Sequence, residues 1–212
     1  MVGSIPNDIF QFSTFAALSA GFNTGQPRTA DLTSHGTDGI GIYEDGSLMV
    51  LVDRQAYAIR KQGTAVPAPQ DARLPFAMVT IFQPTYRVQL PSLTFEGLED
   101  LISSTELGPA KGINTIIPFK IVGAFASIVL EPGGTRTGVE GTVFGFVVPK
   151  WMKDISGPRI HAHFVDESGN KGGRVSDFEI EEAVTLSFAK CGRFHLGFPQ
   201  GPEWEDMKLS SH

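Results

Sequence analysis

The stretch Ile160-His161-Ala162-His163-Phe164, then the turn Asp166-Glu167-Ser168-Gly169-Asn170-Lys171, then Gly172-Gly173-Arg174-Val175-Ser176-Asp177-Phe178, reads as a β-hairpin. Residues two apart in a strand project from one face, so both imidazoles converge on one point while Ile160, Ala162 and Phe164 turn away. A lone histidine is ordinarily structural, but a same-face pair flanked by apolar residues is what a metal ion or an anionic substrate requires. The hairpin also lays Arg174 alongside the histidine strand.

Outward from this hairpin the chain is punctuated like a sheet protein. Its 24 glycines and 14 prolines separate short runs rich in Val, Ile, Phe and Thr. Strands are predicted at Gly39–Tyr43, Leu48–Val52, Gln55–Arg60 and Phe76–Gln83, then at Ile116–Leu130, Val139–Val148, Arg159–Val165, Val175–Phe188 and Phe194–Phe198. Helices are the minority. Phe12–Phe22 carries apolar residues near i, i+3 and i+4 with Ser13 as its cap, Thr29–His35 is stopped by Gly36, and Ser92–Leu107 is stopped by Gly108-Pro109. Glu131–Gly138 reads as a loop, and the polar tail Gln200–His212 as mobile. The fold class is α+β: two strand-rich αβ halves, residues 1–110 and 111–212, in one compact unit, the second carrying the HxH motif.

Composition narrows the function. The 212 residues are 41% hydrophobic and 19% charged, which suits a single globular unit. Seventeen Lys plus Arg against 23 Asp plus Glu give a net charge of −6, the wrong sign for tracking phosphates, so nucleic acid is not an expected partner. No window has the roughly 18 consecutive apolar residues of a membrane span, and the opening MVGSIPNDIFQF lacks a basic n-region and an apolar h-region, so no membrane association and a cytoplasmic location are expected. The one cysteine, Cys191, excludes an internal disulfide and a thiolate metal cluster. Cys191 beside Lys190 and Arg193 has the setting of an activated thiol, although a single cysteine in a turn is usually incidental. Phe144, Phe146 and Trp151 are candidates for a homodimer face, with core as the default reading.

The spacing of His161-Ala162-His163-Phe164 and Gly172-Gly173-x-Val175-x-Asp177-Phe178 resembles the signature of the α-acetolactate decarboxylases, HxHF followed by GGHVLDF. Further collinear segments are similar to that family: Phe10-Gln11-Phe12-Ser13-Thr14, Ser34-His35-Gly36-Thr37-Asp38-Gly39-Ile40-Gly41, Asp45-Gly46-Ser47-Leu48-Met49, Leu74-Pro75-Phe76-Ala77, Ile121-Val122-Gly123-Ala124-Phe125 and Val139-Glu140-Gly141-Thr142-Val143. The resemblance implies paired αβ halves with mixed, mostly antiparallel sheets. It also implies a zinc ion on three histidines, with glutamates completing the shell and an arginine holding the substrate carboxylate, the metal stabilising the enolate left when CO2 departs.

Carried over residue by residue, the site departs from this pattern. His161 and His163 match the first two ligands, but the third histidine is replaced by Arg174, a cation that cannot ligate a metal. The glutamate of the DGELI turn is Ser47, the substrate-holding arginine aligns with Glu131, and the C-terminal glutamate would lie beyond His212. Opposite-sign exchanges at two positions suggest a buried Arg174–Glu131 ion pair where metal and carboxylate met. The expectation is therefore a metal-free enzyme of secondary metabolism acting on a small carbonyl or carboxylate compound as a lyase, isomerase or cyclase. Arg174 would hold the carboxylate or enolate, His161 and His163 would serve as acid or base, and Glu131, Ser47 and His195 would line the site. The alternatives are a non-catalytic ligand-binding pseudoenzyme, or a zinc decarboxylase in which His35 or His195 restores the ligand set.

Overall fold

The computed structural model describes residues 6–103 and 114–209. The N-terminal part supplies β1 (Ile9–Phe12), α1 (Phe15–Ser19), α2 (Thr29–His35), β2 (Asp38–Ile42), β3 (Leu48–Val52), β4 (Gln55–Ile59), β5 (Ala65–Pro67) and β6 (Phe76–Thr80). Then come β7 (Tyr86–Leu90), β8 (Leu93–Thr94) and α3 (Phe95–Ser103). The second part supplies β9 (Ile117–Glu131), β10 (Gly134–Val147), α4 (Lys153–Ser156), β11 (Ile160–Asp166), β12 (Gly172–Ile180), β13 (Val184–Phe188), β14 (Phe194–Gly197) and α5 (Pro202–Glu205).

Two seven-stranded sheets result. Sheet 1 runs β14-β1-β6-β2-β3-β4-β5, antiparallel except for the parallel β1–β14 pair. Sheet 2 runs β7-β13-β9-β10-β11-β12-β8 and closes on itself, because the far end of β9 pairs back onto β12 through Val175↔Leu130 and Arg174↔Glu131. The strands β9 to β12 thus form a small barrel. Alternation sends Ile121, Val143, Ala162, Phe164 and Val175 inward with Phe125 and Phe178, where Leu98 and Ile102 of α3 join them. Phe125 meets Phe164 and Phe178 edge to face, at 5.4 and 5.8 Å between centroids. The alternate set on the barrel's outer face, Phe144 and Phe146, packs on Ile40, Phe76 and Met78 of sheet 1, so these two phenylalanines are core and not a dimer face; Trp151 is exposed.

The division at 110/111 and the break at Glu106–Ile113 lie outside the described residues, and sheet membership does not follow that boundary. β7, β8 and α3 complete sheet 2, while β14 returns to the edge of sheet 1. The expected helix Phe12–Phe22 is a strand followed by a shorter helix. Ser13 turns the chain with φ 64°, and Thr14, not Ser13, caps α1 by accepting the Ala17 N–H at 3.2 Å. Helix α3 starts later than Ser92 because Leu93 and Thr94 are taken up by pairing with Ile180 and Glu179; its predicted end past Ser103 lies outside the described residues. The predicted strand Val175–Phe188 is two strands broken at Glu181–Ala183, since β12 and β13 pair with different stretches of β9. The predicted loop Glu131–Gly138 is a tight hairpin in which Gly133 and Gly134 take positive φ. The tail is docked as far as it is described: Trp204 meets Phe22 at 5.6 Å and Glu203 bonds Thr24.

Candidate functional site

One cross-strand row organises the site. Lys120 (β9) faces Phe144 (β10), Phe144 faces His163 (β11), His163 faces Arg174 (β12), and Arg174 faces Glu131, back on β9. Directly opposed residues share a face, and this one looks toward sheet 1. His161 lies on the same face, its ring 5.8 Å from that of His163.

Both histidines are buried, at 3% and 1% exposure. His161 Nδ1 lies 3.0 Å from Ser156 O and His163 Nδ1 2.6 Å from Met49 O. A carbonyl only accepts, so each imidazole carries its proton on Nδ1 and presents a lone pair at Nε2. His163 Nε2 is buried and has no hydrogen-bond partner among the described residues. Phe76 stacks on His161 at 5.9 Å and Phe15 meets its edge at 5.7 Å. Burial pushes His161 down to about 4 and His163 to about 3, helped for His163 by its neighbour His161 and for both by the charge of Arg174. Both imidazoles are therefore neutral at pH 7, where each can accept a hydrogen bond at Nε2 but neither holds an imidazolium proton to deliver.

The local backbone is built around this arrangement. Gly157, which follows α4, has φ +105°, and a Cβ there would sit 2.7 Å from His161 Nδ1, so only glycine lets the chain pass from Ser156 to the histidine strand. Arg174 and Glu131 form the expected ion pair, but at the rim and not buried, with side chains 44% and 57% exposed. The reason is register: both stand where β12 meets the end of β9 beside the hairpin turn.

The other expected residues stand outside the cross-strand row. Ser47 is engaged in the β2–β3 turn, bonding Asp45 Oδ1 through its N–H and Tyr43 N–H through its carbonyl. His195 is opposite Phe10, whose ring stacks on His35 on the helix-covered side of sheet 1; it is half exposed and 3.6 Å from Asp8. Neither His35 nor His195 joins the histidine pair. Burial pushes the Cys191 thiol up to about 11, opposite to activation, and Sγ donates to Arg193 O. The sequence reading missed the carbonyls of Met49 and Ser156 and the rings of Phe15 and Phe76. No local signal marks a carbonyl as a partner across 114 residues.

A zinc centre is tested by donor count and charge. The two imidazoles have the tautomer that ligands need. Catalytic zinc takes three protein ligands, and the described residues hold no group of three His, Cys, Asp or Glu able to bind a metal. A guanidinium stands in the row where a third donor is wanted. The described set does not fit.

The fold and site define a two-sheet α+β protein with an HxH strand on a closed barrel. The family model of alpha-acetolactate decarboxylase matches residues 9–132 and 131–211, and the chain belongs to that family. Among its relatives, the alpha-acetolactate decarboxylase of Methylococcus capsulatus is 27% identical, the match covering 99% of this chain and 86% of that protein. That of Bacillus subtilis is 29% identical, covering 97% and 87%. The solved Bacillus subtilis enzyme superposes with a TM-score of 0.86 over 96% of this chain and 94% of that one, at 25% identity. A Staphylococcus aureus protein, described as of unknown function and similar to alpha-acetolactate decarboxylase, superposes with a TM-score of 0.87 over 96% and 95% at 23% identity, which shows the shared fold alone.

Proposed function

We propose that the chain is a lyase that releases CO2 from a small 2-hydroxy-3-oxo carboxylate, the substrate class named for its relatives, at the face shared by His163 and Arg174. The observation that carries this reading is the opposed pair itself: a buried nitrogen lone pair beside a guanidinium on one sheet face. In the reaction the bond between C2 and the carboxylate breaks, its electrons pass to the 3-oxo oxygen, and CO2 leaves. Water then protonates C2 of the enolate, giving a hydroxyketone. Arg174 donates hydrogen bonds to the oxygen on which charge develops. His163 Nε2 accepts from the 2-hydroxyl and orients it. Glu131 neutralises the guanidinium until the substrate's carboxylate takes its place, and the guanidinium then stays with that charge as it passes to the 3-oxo oxygen.

Family membership favours a lyase, and an isomerase or cyclase has no support from the relatives. The test is CO2 release from racemic acetolactate. Arg174→Gln is expected to lower kcat/KM by about 100-fold or more, from loss of charge-assisted donors at the oxyanion. Absence of release by the wild-type chain overturns the lyase reading. The bare His163 Nε2 favours one second reading, a zinc centre completed by a third donor beyond the two histidines. Zinc near one per chain in protein purified without chelator, lost in His161→Ala, decides for it.

A further inference from the structure

Gln11 lies on β1 with a completely buried side chain. Its Nε2 donates to Ser13 O at 2.8 Å and to Ile155 O at 2.6 Å, while its Oε1 accepts the Ser156 hydroxyl at 2.7 Å. Two carbonyl acceptors on one side and a hydroxyl donor on the other fix which way the amide points. Ile155 and Ser156 are the last residues of α4, a single turn too short to hold its own shape. Ser156 is also the residue whose carbonyl takes the His161 Nδ1 proton. On the near side, Ser13 adopts φ 64°, a left-handed conformation unfavourable for a non-glycine residue, and its carbonyl is one of those Gln11 holds.

We infer that Gln11 is a positioning residue for His161: its amide clamps the end of α4 to sheet 1, so that Ser156 O holds the imidazole with its proton on Nδ1 and its Nε2 lone pair free. The inference deepens the proposed function, resting on His161 as part of that site, but concerns a residue that touches neither substrate nor imidazole. His163 provides an internal control, because its Nδ1 is held by Met49 O on β3, independently of α4.

The experiment is 15N NMR of the imidazoles in the full chain at neutral pH, without substrate. In the wild type both histidines are expected as the Nδ1–H tautomer. Gln11→Glu keeps the shape but replaces the amide donor with an acceptor facing two carbonyls. It is expected to shift the His161 tautomer ratio by about tenfold toward Nε2–H, the scale of one lost hydrogen bond, with His163 unmoved. Ser156→Ala removes only the hydroxyl and is expected to shift His161 in the same direction by a smaller factor. It decides the matter if Gln11→Glu does not fold. A folded variant whose His161 tautomer is unchanged, or one in which both histidines shift equally, overturns the inference. Because the readout needs no turnover, failure of the lyase assay and failure of the positioning role are told apart.

Discussion

The cross-strand row ends in two ion pairs, both anchored on β9 and unlike in every other respect. At one end Lys120, 12% exposed, reaches out of the barrel to Asp38 of sheet 1 at 2.5 Å; Asp38 is 2% exposed and also accepts the Thr37 hydroxyl at 2.7 Å. Lys120 holds Asp53 at 2.8 Å and lies over the Phe82 ring at 5.5 Å. At the other end Arg174 and Glu131 meet in solvent. The same sheet face thus carries a largely buried charge pair that joins two layers and a solvent-exposed pair that, in the proposed function, a substrate opens. Burial, not charge type, separates the two pairs, because a desolvated charge gives up its partner only at a large free-energy cost.

The largest expected effect comes from breaking the buried end. Lys120→Met leaves Asp38 without its cation in the sheet–barrel interface and should destabilise the fold by about 3–5 kcal/mol, read as a lowered urea midpoint. Adding Asp38→Leu removes the stranded carboxylate and should recover most of the loss. A single variant as stable as the wild type would show that solvent reaches Asp38 and would dissolve the contrast between the two ends.

Between the ends, the histidines set a pH dependence. Their folded values, about 4 and about 3, lie below the ordinary 6.5, so below pH 6.5 the unfolded chain binds protons that the folded chain refuses. Stability attributable to the pair is intact above pH 6.5 and falls as pH drops toward 4, by about 1.4 kcal/mol per unit of pKa difference for each histidine. Comparison of His163→Asn with the wild type isolates this contribution from the carboxylates. The slope of unfolding free energy against pH between 6.5 and 4 should be shallower in the variant, and an unchanged slope would mean that His163 is solvated.

The hairpin was legible because its signals are local. Alternation placed His161 and His163 on one face, and the turn placed Arg174 beside them. The Arg174–Glu131 pairing was legible from two opposite-sign departures from the family pattern, but its exposure was not, since that depends on where β9 closes the barrel. Strand β1 was hidden by the helical spacing of the phenylalanines around it, and only the left-handed Ser13 and the capping Thr14 separate the two elements. His195 was assigned to the site by neighbourhood, whereas sheet order places β14 at the far edge of sheet 1. The extension of the row through Phe144 to Lys120 was invisible, because it requires the pairing of further strands.

The smallest expected effect is at the exposed end, where it sharpens the comparison most. Glu131→Gln removes a charge from a pair about half in water, and such pairs contribute about 0–1 kcal/mol, so the urea midpoint should barely move. If Glu131 only occupies Arg174 until substrate arrives, freeing the guanidinium should lower KM for an anionic substrate a few-fold and leave kcat unchanged, because ground state and transition state gain the same attraction. If Glu131 instead aims the guanidinium, kcat should fall with KM unchanged. The split between the two constants, measured on a variant of unaltered stability, distinguishes a gate from a support at the rim, a distinction the buried Lys120–Asp38 pair does not offer because disturbing it changes the stability of the fold as well.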